Sequence, residues 1–218
     1  MKKVIFGLIA TVLFLNLSSG QNTISYKEYG FYHNEALLEF TKKHGENQKD
    51  VSFIVDESIK LMQIKYPNIF KDTDGSEIKK LFEVQSANEF DYKKIWNSNK
   101  ETFYKNNKIS ERVGDLIDKI VNNNSSYDEA IGLMNNFEKS NKLTLEETNG
   151  LIAVKSVLIS SNEYWNQAKS SGTTEERHRA GSATLIADFA GAGMFMFAGP
   201  VAAICGFACS YITHQSDN

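Results

Sequence analysis

An all-α fold is predicted by three features of this 218-residue sequence. The chain is rich in Lys, Glu and Leu and has only 2 prolines, a composition that favours helices over strands. Apolar residues recur at three- and four-residue spacing along most of its length, as on the buried face of an amphipathic helix. Ser or Thr stands three residues before Glu at several segment starts, which is the capping box that opens many helices. We therefore expect a multi-helix body followed by a C-terminal apolar hairpin of two helices rich in small residues.

Composition and charge narrow the range of functions. Hydrophobic residues make up 41% of the chain and aromatic residues 11%, which is enough for a core and argues against disorder. The net charge is −3, so the composition does not indicate a basic surface for nucleic acid or anionic lipid. We expect no nucleic-acid partner.

The first 20 residues have the pattern of a cleavable secretory signal peptide. Two lysines precede the apolar run 4–15, and the small residues 18–20 precede Gln21. We expect cleavage after Gly20 and a mature protein that is secreted or periplasmic. In such compartments thiols tend to oxidise.

A helical body is predicted between residues 21 and 170. Its first helix is expected to start at Asn34, a good N-cap residue, and to end at a glycine. The stretch VSFIV at the start of the second helix could also form a strand. The last helix is apolar nearly all round from Leu151 to Ile159, so we expect it at the centre. The predicted helices span residues 34–45, 51–66, 77–83, 92–104, 110–121, 126–137 and 144–169.

The C-terminal segment, residues 171–218, is predicted to form the hairpin. Thr173 with Glu176 matches a capping box, and a helix is expected from Thr174 to Ala198. Gly199-Pro200 then predicts a sharp turn, because glycine is common just past a helix end and proline at the first position of the next helix. The second helix is expected to reach about Ile212.

Small residues recur every four positions along both hairpin helices, which lets helix backbones approach closely. The opposite faces carry large apolar residues that the body, a lipid bilayer or another partner must cover. Asp188 interrupts this apolar segment, and a buried carboxylate needs a partner or water. The small residues of the predicted packing face are Ala183, Ala187, Gly191, Ala198, Ala202, Gly206 and Ser210.

Residues 189–213 form a stretch of 25 residues without Asp, Glu, Lys or Arg, which is long enough for a transmembrane candidate. Three features argue against a simple span. Fifteen of the 25 residues are Gly, Ala, Ser, Thr, Pro or Cys, and Gly199-Pro200 divides the stretch into pieces of 11 and 14 residues. Arginines precede the stretch rather than follow it, against the positive-inside tendency of an exported body. We expect the hairpin to be buried in the fold, and membrane association through residues 189–213 is the alternative.

Cys205 and Cys209 lie four residues apart on the second hairpin helix. The even count in an exported chain favours a disulfide. Helix geometry separates their Cα atoms by about 6 Å with parallel side chains, which is within reach but strained. The other interpretation is that both are small residues that widen the packing face. A C-x-x-x-C pattern is only a weak metal signal.

An aromatic-rich stretch, YGFYHNEALLEF, begins at Tyr29. His33 and Glu35 suggest a metal site or an acid/base pair, but residues two apart on a helix do not face each other. We expect Asn34 to cap the helix, His33 and Glu35 to lie in its first turn, and Tyr29 and Phe31 to pack against it. The sequence contains no H-E-x-x-H, G-x-S-x-G or phosphate-loop motif. We therefore predict no catalytic, cofactor-binding or metal-ligating residues, and a protein that is not an enzyme.

Five residues of this stretch, in a G-x-x-H-N-E-x-L pattern, resemble an element of exported Bacteroidetes proteins that have no established activity. Many of those proteins also carry a Gly/Ala-rich C-terminal segment, here residues 187–211. The resemblance implies export. The Gly/Ala-rich composition of the tail is also similar to that of pore-forming bacteriocins, which implies a hairpin able to insert into a bilayer. The residues that carry the N-terminal pattern are Gly30, His33, Asn34, Glu35 and Leu37.

Together these features predict an exported, non-enzymatic helical protein that binds an unknown protein partner or has a structural role. The alternative is a membrane-active, bacteriocin-like effector that acts on a lipid membrane. No cofactor is expected in either case.

Overall fold

The computed structural model describes residues 25–45, 47–82, 90–106, 110–123, 125–167 and 181–216. Within these ranges the chain forms ten α-helices and no strand, which confirms the predicted all-α fold. The predicted signal peptide and the capping box at Thr173 lie outside the described residues. The helices are α1 (Tyr29–His44), α2 (Val51–Lys65), α3 (Pro67–Phe70), α4 (Ser76–Phe82), α5 (Tyr92–Asn106), α6 (Glu111–Asn122), α7 (Tyr127–Ser140), α8 (Leu145–Gln167), α9 (Ser182–Met194) and α10 (Pro200–Ser216).

The first helix begins at Tyr29, so the predicted start at Asn34 is wrong. A 3₁₀ turn, Tyr26–Glu28, leads directly into α1. The side chain of Glu28 accepts a hydrogen bond from the backbone N–H of Ser25 at 2.8 Å, which stabilises the turn upstream of the helix. Asn34 is therefore the sixth residue of α1 and caps nothing. The helix ends at Gly45, as predicted, where φ is 71°.

Two local predictions of helix starts are confirmed. Ser126 and Glu129 form a capping box at the start of α7. At the start of α8 the Thr144 backbone N–H donates to Glu147 at 2.8 Å, and the Glu147 N–H donates back to the Thr144 hydroxyl at 3.2 Å. The stretch from Val51 is helical rather than extended, because the Asp50 carboxylate accepts from the Phe53 N–H and caps α2.

The C-terminal hairpin consists of α9 and α10, joined by a turn over residues 195–199. Gly199 adopts φ of 61°, a conformation that favours glycine, and Pro200 is the first residue of α10, so the predicted turn is confirmed. Helix α9 ends at Met194 rather than at Ala198, because the chain turns from residue 195 onwards. Helix α10 continues past the predicted end to Ser216.

The hairpin lies at the centre of the molecule. Helix α9 packs against α10 and against α5, α6, α7 and α8, while α10 packs against α1 and α2. Residues 184–194 of α9 and 202–214 of α10 are all buried. The amphipathic helices of the body therefore cover the large apolar residues of the hairpin, among them Phe189, Ile204 and Phe207.

No described helix has the combination of length and hydropathy that a membrane crossing requires.

Candidate functional site

A buried polar cluster lies where α1, α8, α9 and α10 meet. His33 Nε2 and Asp188 Oδ1 are 2.6 Å apart, and both side chains are 0% exposed. The hydroxyl of Ser161 donates to the other carboxylate oxygen of Asp188. Asp188 thus has the partner that its apolar surroundings require. We call His33, Asn34, Ser161 and Asp188 the polar cluster.

The second ring nitrogen of His33 has a partner that suits a charged ring. His33 Nδ1 lies 2.9 Å from Asn34 Oδ1, and Asn34 Nδ2 donates to the carbonyl oxygen of Ser160 at 2.7 Å. Only the amide nitrogen can donate to a carbonyl, so the amide oxygen must face His33. Both ring nitrogens therefore face oxygen atoms, an arrangement that a doubly protonated ring satisfies at both positions. We therefore treat the contact between His33 and Asp188 as a buried ion pair.

The electrostatics of the cluster agree with this geometry. Burial lowers the pKa of His33, but the negative charge of Asp188 and the hydrogen bonds to Asp188 and Asn34 raise it by more. The pKa of His33 therefore lies above its ordinary value, which favours the protonated ring.

Glycines bring the four helices close enough to form the cluster. A Cβ atom on Gly30 would lie 2.1 Å from the carbonyl oxygen of Ser156, so α1 and α8 meet backbone to backbone. A Cβ on Gly191 would lie 2.6 Å from the carbonyl oxygen of Cys205, so α9 and α10 do the same. A Cβ on Gly206 would lie 3.2 Å from both the Asp188 carbonyl oxygen and His33 Cδ2. Gly206 thus places α10 directly over the ion pair.

The remaining residues of the N-terminal pattern divide between core and surface. Leu37 is fully buried. Glu35 pairs with Lys65 at 2.6 Å and accepts from the Tyr66 hydroxyl, away from His33. His33 and Glu35 do not come together, as their two-residue separation predicts. The expectation that His33 lies in the first helical turn is wrong, because α1 starts four residues before it and the ring points into the core.

The predicted small-residue face lies partly at the contact between the hairpin helices. Gly191 and Gly206 make the close approaches described above. Ala198 is in the turn between the helices rather than on a helix, and Ala183 is only partly buried. The other members of the face are fully buried: Ala187, Ala202 and Ser210.

Cys205 and Cys209 are free, buried thiols. The structure therefore departs from the disulfide interpretation and agrees with the interpretation of both as small packing residues. Side chains one turn apart on a regular helix run parallel, a poor geometry for an S–S bond. Burial, together with the neighbouring Cys205 thiol and the charge of Asp188, raises the pKa of the Cys209 thiol well above its ordinary value. That thiol is neutral and weakly reactive in the folded protein.

The geometry of the polar cluster suits a structural role better than a chemical one. In a serine nucleophile site the hydroxyl bonds to the histidine, which acts as base. Here Ser161 and His33 bond to different oxygen atoms of Asp188, so the hydroxyl is not bonded to the histidine. All three side chains are shielded from solvent. Within the described ranges no group of three His, Cys, Asp or Glu side chains could hold a metal ion.

One open cavity of about 410 Å³ lies at the surface between α5 and α6. Charged residues of both signs make up most of its lining, whereas a typical small-molecule site is lined mainly by apolar side chains. Its lining residues are Lys100, Glu101, Tyr104, Lys105, Glu111 and Asp115.

Comparisons of the chain with protein-family models, with curated proteins and with solved structures found no match. The fold and the cluster together define an all-α protein in which a buried ion pair joins a central C-terminal hairpin to the surrounding helices.

Proposed function

We propose that this is an exported, non-enzymatic helical protein that binds a partner or serves as a structural component, with the hairpin packed into the fold. The observation that carries the proposal is the way in which the hairpin is partnered. Its one charged side chain, Asp188, bonds to the body through His33 and Ser161. Its large apolar side chains are covered by the amphipathic helices. If the hairpin left the body, Asp188 would lose its partners and the large apolar side chains would lose their cover, so separation costs free energy.

The burial of the reactive side chains supports a non-catalytic role. His33, Ser161, Asp188 and both cysteines are shielded from solvent. A substrate could reach them only if helices separated. A binding role would use the outer faces of the helices instead.

The uncharged stretch 189–213 keeps a second candidate, a membrane-active effector, open to test. Helix α9 has 13 residues and α10 has 17. At a rise of about 1.5 Å per residue they are roughly 20 and 26 Å long, whereas the hydrocarbon core of a bilayer is about 30 Å thick. Insertion would therefore require the two helices to extend or to rearrange around the Gly199-Pro200 turn.

Substitution of Gly206 by Leu distinguishes the two candidates. A leucine there would press on Asp188 and His33, and overpacking of this kind costs about 1–3 kcal/mol or more. If the hairpin is core, Gly206→Leu lowers the melting temperature of the whole protein in a single transition. Gly132→Leu is the matched control, because a Cβ at Gly132 has no atom within 4 Å. A truncation at residue 171 should likewise fail to fold cooperatively.

Dye release from vesicles of phosphatidylethanolamine and phosphatidylglycerol provides the second measurement. We expect the intact protein to release little dye. Strong release by the intact protein, together with a truncated body that melts like the full chain, would refute the proposal in favour of the membrane-active effector.

Export is tested separately by intact-mass measurement of the protein recovered outside the cytoplasm. The expected mass is that of a chain beginning at Gln21. A mass that retains Met1, or that includes a lipid, would contradict the signal-peptide prediction.

A further inference from the structure

We propose that the polar cluster is a proton-controlled latch between the hairpin and the body. The latch is closed while His33 carries both ring protons. It loosens when His33 loses one of them. The inference is independent of what the protein binds.

The hydrogen-bond geometry makes the second proton indispensable. If Nδ1 lost its hydrogen, its lone pair would face Asn34 Oδ1 at 2.9 Å. If Nε2 lost its hydrogen, the lone pair would face the Asp188 carboxylate at 2.6 Å. Asn34 cannot turn its amide to donate without giving up its bond to the Ser160 carbonyl oxygen. Deprotonation therefore opposes two acceptors, either beside the partly buried Asn34 or beside the fully buried Asp188, and leaves the charge of Asp188 without its partner.

The contacts of the cluster cross the boundary between hairpin and body. Asp188 belongs to α9, whereas His33 belongs to α1 and Ser161 to α8. Gly206 places α10 over the pair. A second contact, farther along α10, joins the Tyr211 hydroxyl to the Gly45 carbonyl oxygen at 2.8 Å. That contact is between neutral groups, and the His214 ring of α10 lies against Trp165 of α8, with the ring centroids 4.4 Å apart. Of these three contacts, the cluster is the one that includes a carboxylate.

The proton on His33 is governed by the pair itself. From α10 the titratable groups beside the pair are the Cys205 and Cys209 thiols, and burial raises the pKa of Cys209 well above its ordinary value. From α8 and α1 come the Ser161 hydroxyl and the Asn34 amide, which do not titrate between pH 5 and 9. Of the residues that the structure describes, Asp188 is the source of the charge acting on His33.

The direction of the pH effect follows from the raised pKa of His33. A histidine whose pKa is higher in the folded than in the unfolded state contributes its full stabilisation below the unfolded pKa of about 6.5. The contribution is lost as pH rises through the folded pKa. The latch thus holds below the unfolded pKa of His33 and loosens as the pH rises through the folded pKa.

Cys209 is a built-in reporter of the latch. Its Sγ atom lies 2.9 Å from the position of a Cβ on Gly191, at the contact between α9 and α10, and the side chain is fully buried. A thiol reagent can reach it only when the helices around it separate.

The test is the rate at which iodoacetamide alkylates Cys205 and Cys209 between pH 6 and 9, read residue by residue by peptide mass spectrometry. Each rate is divided by that of the urea-unfolded chain at the same pH, which removes the ionisation of the thiols.

We expect the normalised alkylation rate to rise by up to about tenfold for each pH unit between the unfolded and folded pKa of His33. The His33→Gln variant should react faster than wild type at pH 6 and show no such rise. His44→Gln is the matched control on the same helix. His44 lies 3.4 Å from Glu57 near the surface, so its loss should leave the wild-type profile unchanged.

NMR titration of the imidazole carbons of the wild-type protein completes the test, and it remains decisive if His33→Gln fails to fold. The midpoint of His33 should lie above about 6.5, and the rise in alkylation should level off near that midpoint. A flat normalised rate across the titration of His33 would overturn the proposal. A His33 midpoint at or below the ordinary value would do the same.

Discussion

Asp188, in the inner region around the hairpin, and Glu147, in the outer helices, are carboxylates buried in contrasting surroundings. Asp188 is bound by His33, and both side chains are withdrawn from water. Glu147 is also nearly buried, but its partner Arg112, at 2.9 Å, has a side chain that is 43% exposed. An ion pair with one exposed member contributes less to stability, because water still solvates that member. When both members are buried, the loss of one leaves the other charge without compensation, and the cost is larger. Both carboxylates are buried, so the difference between them lies in the exposure of their partners. We expect that exposure to set how much stability is lost when one member of the ion pair is removed.

The two regions also respond to pH in opposite directions. Hydrogen bonds from Arg112 and Ser110, together with the Thr144 backbone and the charge of Arg112, outweigh burial and hold the pKa of Glu147 at about 2. A lowered carboxyl pKa contributes stability above the unfolded value of about 4.3, and the contribution is lost as pH falls towards the folded value. Protonation of Glu147 therefore weakens the outer region as the pH falls, whereas deprotonation of His33 weakens the inner region as the pH rises.

The largest expected effect is that of Asp188→Ala. Removing one member of a buried ion pair leaves the other without compensation and typically costs about 3–5 kcal/mol. Urea unfolding at pH 7 should show this loss in the free energy of unfolding. The inner region would not depend on the pair as described if the loss were below about 1 kcal/mol.

Gly191→Ala is expected to cost about 1–3 kcal/mol. The added Cβ would lie 2.6 Å from a backbone oxygen, that of Cys205, so relief requires α9 and α10 to move apart. Thermal melting measures the loss. An unchanged melting temperature would mean that the hairpin helices are not in backbone contact.

Glu147→Gln is expected to cost about 2 kcal/mol at pH 7, with allowance for the exposure of Arg112. The difference from wild type should shrink as pH falls from about 4.5 to 2, because Glu147 then becomes protonated. Urea unfolding over this pH range tests both statements. A difference that stays constant down to pH 2 would show that the charge of Glu147 is not responsible.

The smallest expected effect is a gain in stability from Gly132→Ala in the outer region. Gly132 is inside α7 and a Cβ there has no atom within 4 Å. Alanine should stabilise the helix by about 0.5–1 kcal/mol. This substitution is the counterpart of Gly191→Ala, and thermal melting should show opposite signs for the two. If both substitutions shifted the melting temperature in the same direction, the inner and outer regions would not differ in how closely their helices are packed.

Features that depend on neighbours three or four residues apart were predictable from the sequence. The capping boxes at Ser126 and Thr144 and the turn at Gly199-Pro200 are of this kind. The start of α1 was predicted wrongly even at this range. The 3₁₀ turn upstream and the packing of Gly30 on α8 extend the helix past the favourable cap at Asn34.

The candidate site was only half predictable. Asp188 is the single Asp, Glu, Lys or Arg between Arg179 and Asp217, so its need for a partner could be deduced from the sequence. The identity of that partner could not, because His33 lies 155 residues away along the chain. Asn34 was predicted to cap a helix, but in the structure its amide contacts the His33 ring and the Ser160 carbonyl oxygen. The contact with Ser160, 126 residues away along the chain, could not be predicted from the sequence either. By itself the sequence determined the helices and their turns, since these arise from local hydrogen bonds and side-chain spacing. The tertiary structure alone decided which distant side chains meet, because only the packing of four helices at their glycines brings His33, Ser161 and Asp188 to one point.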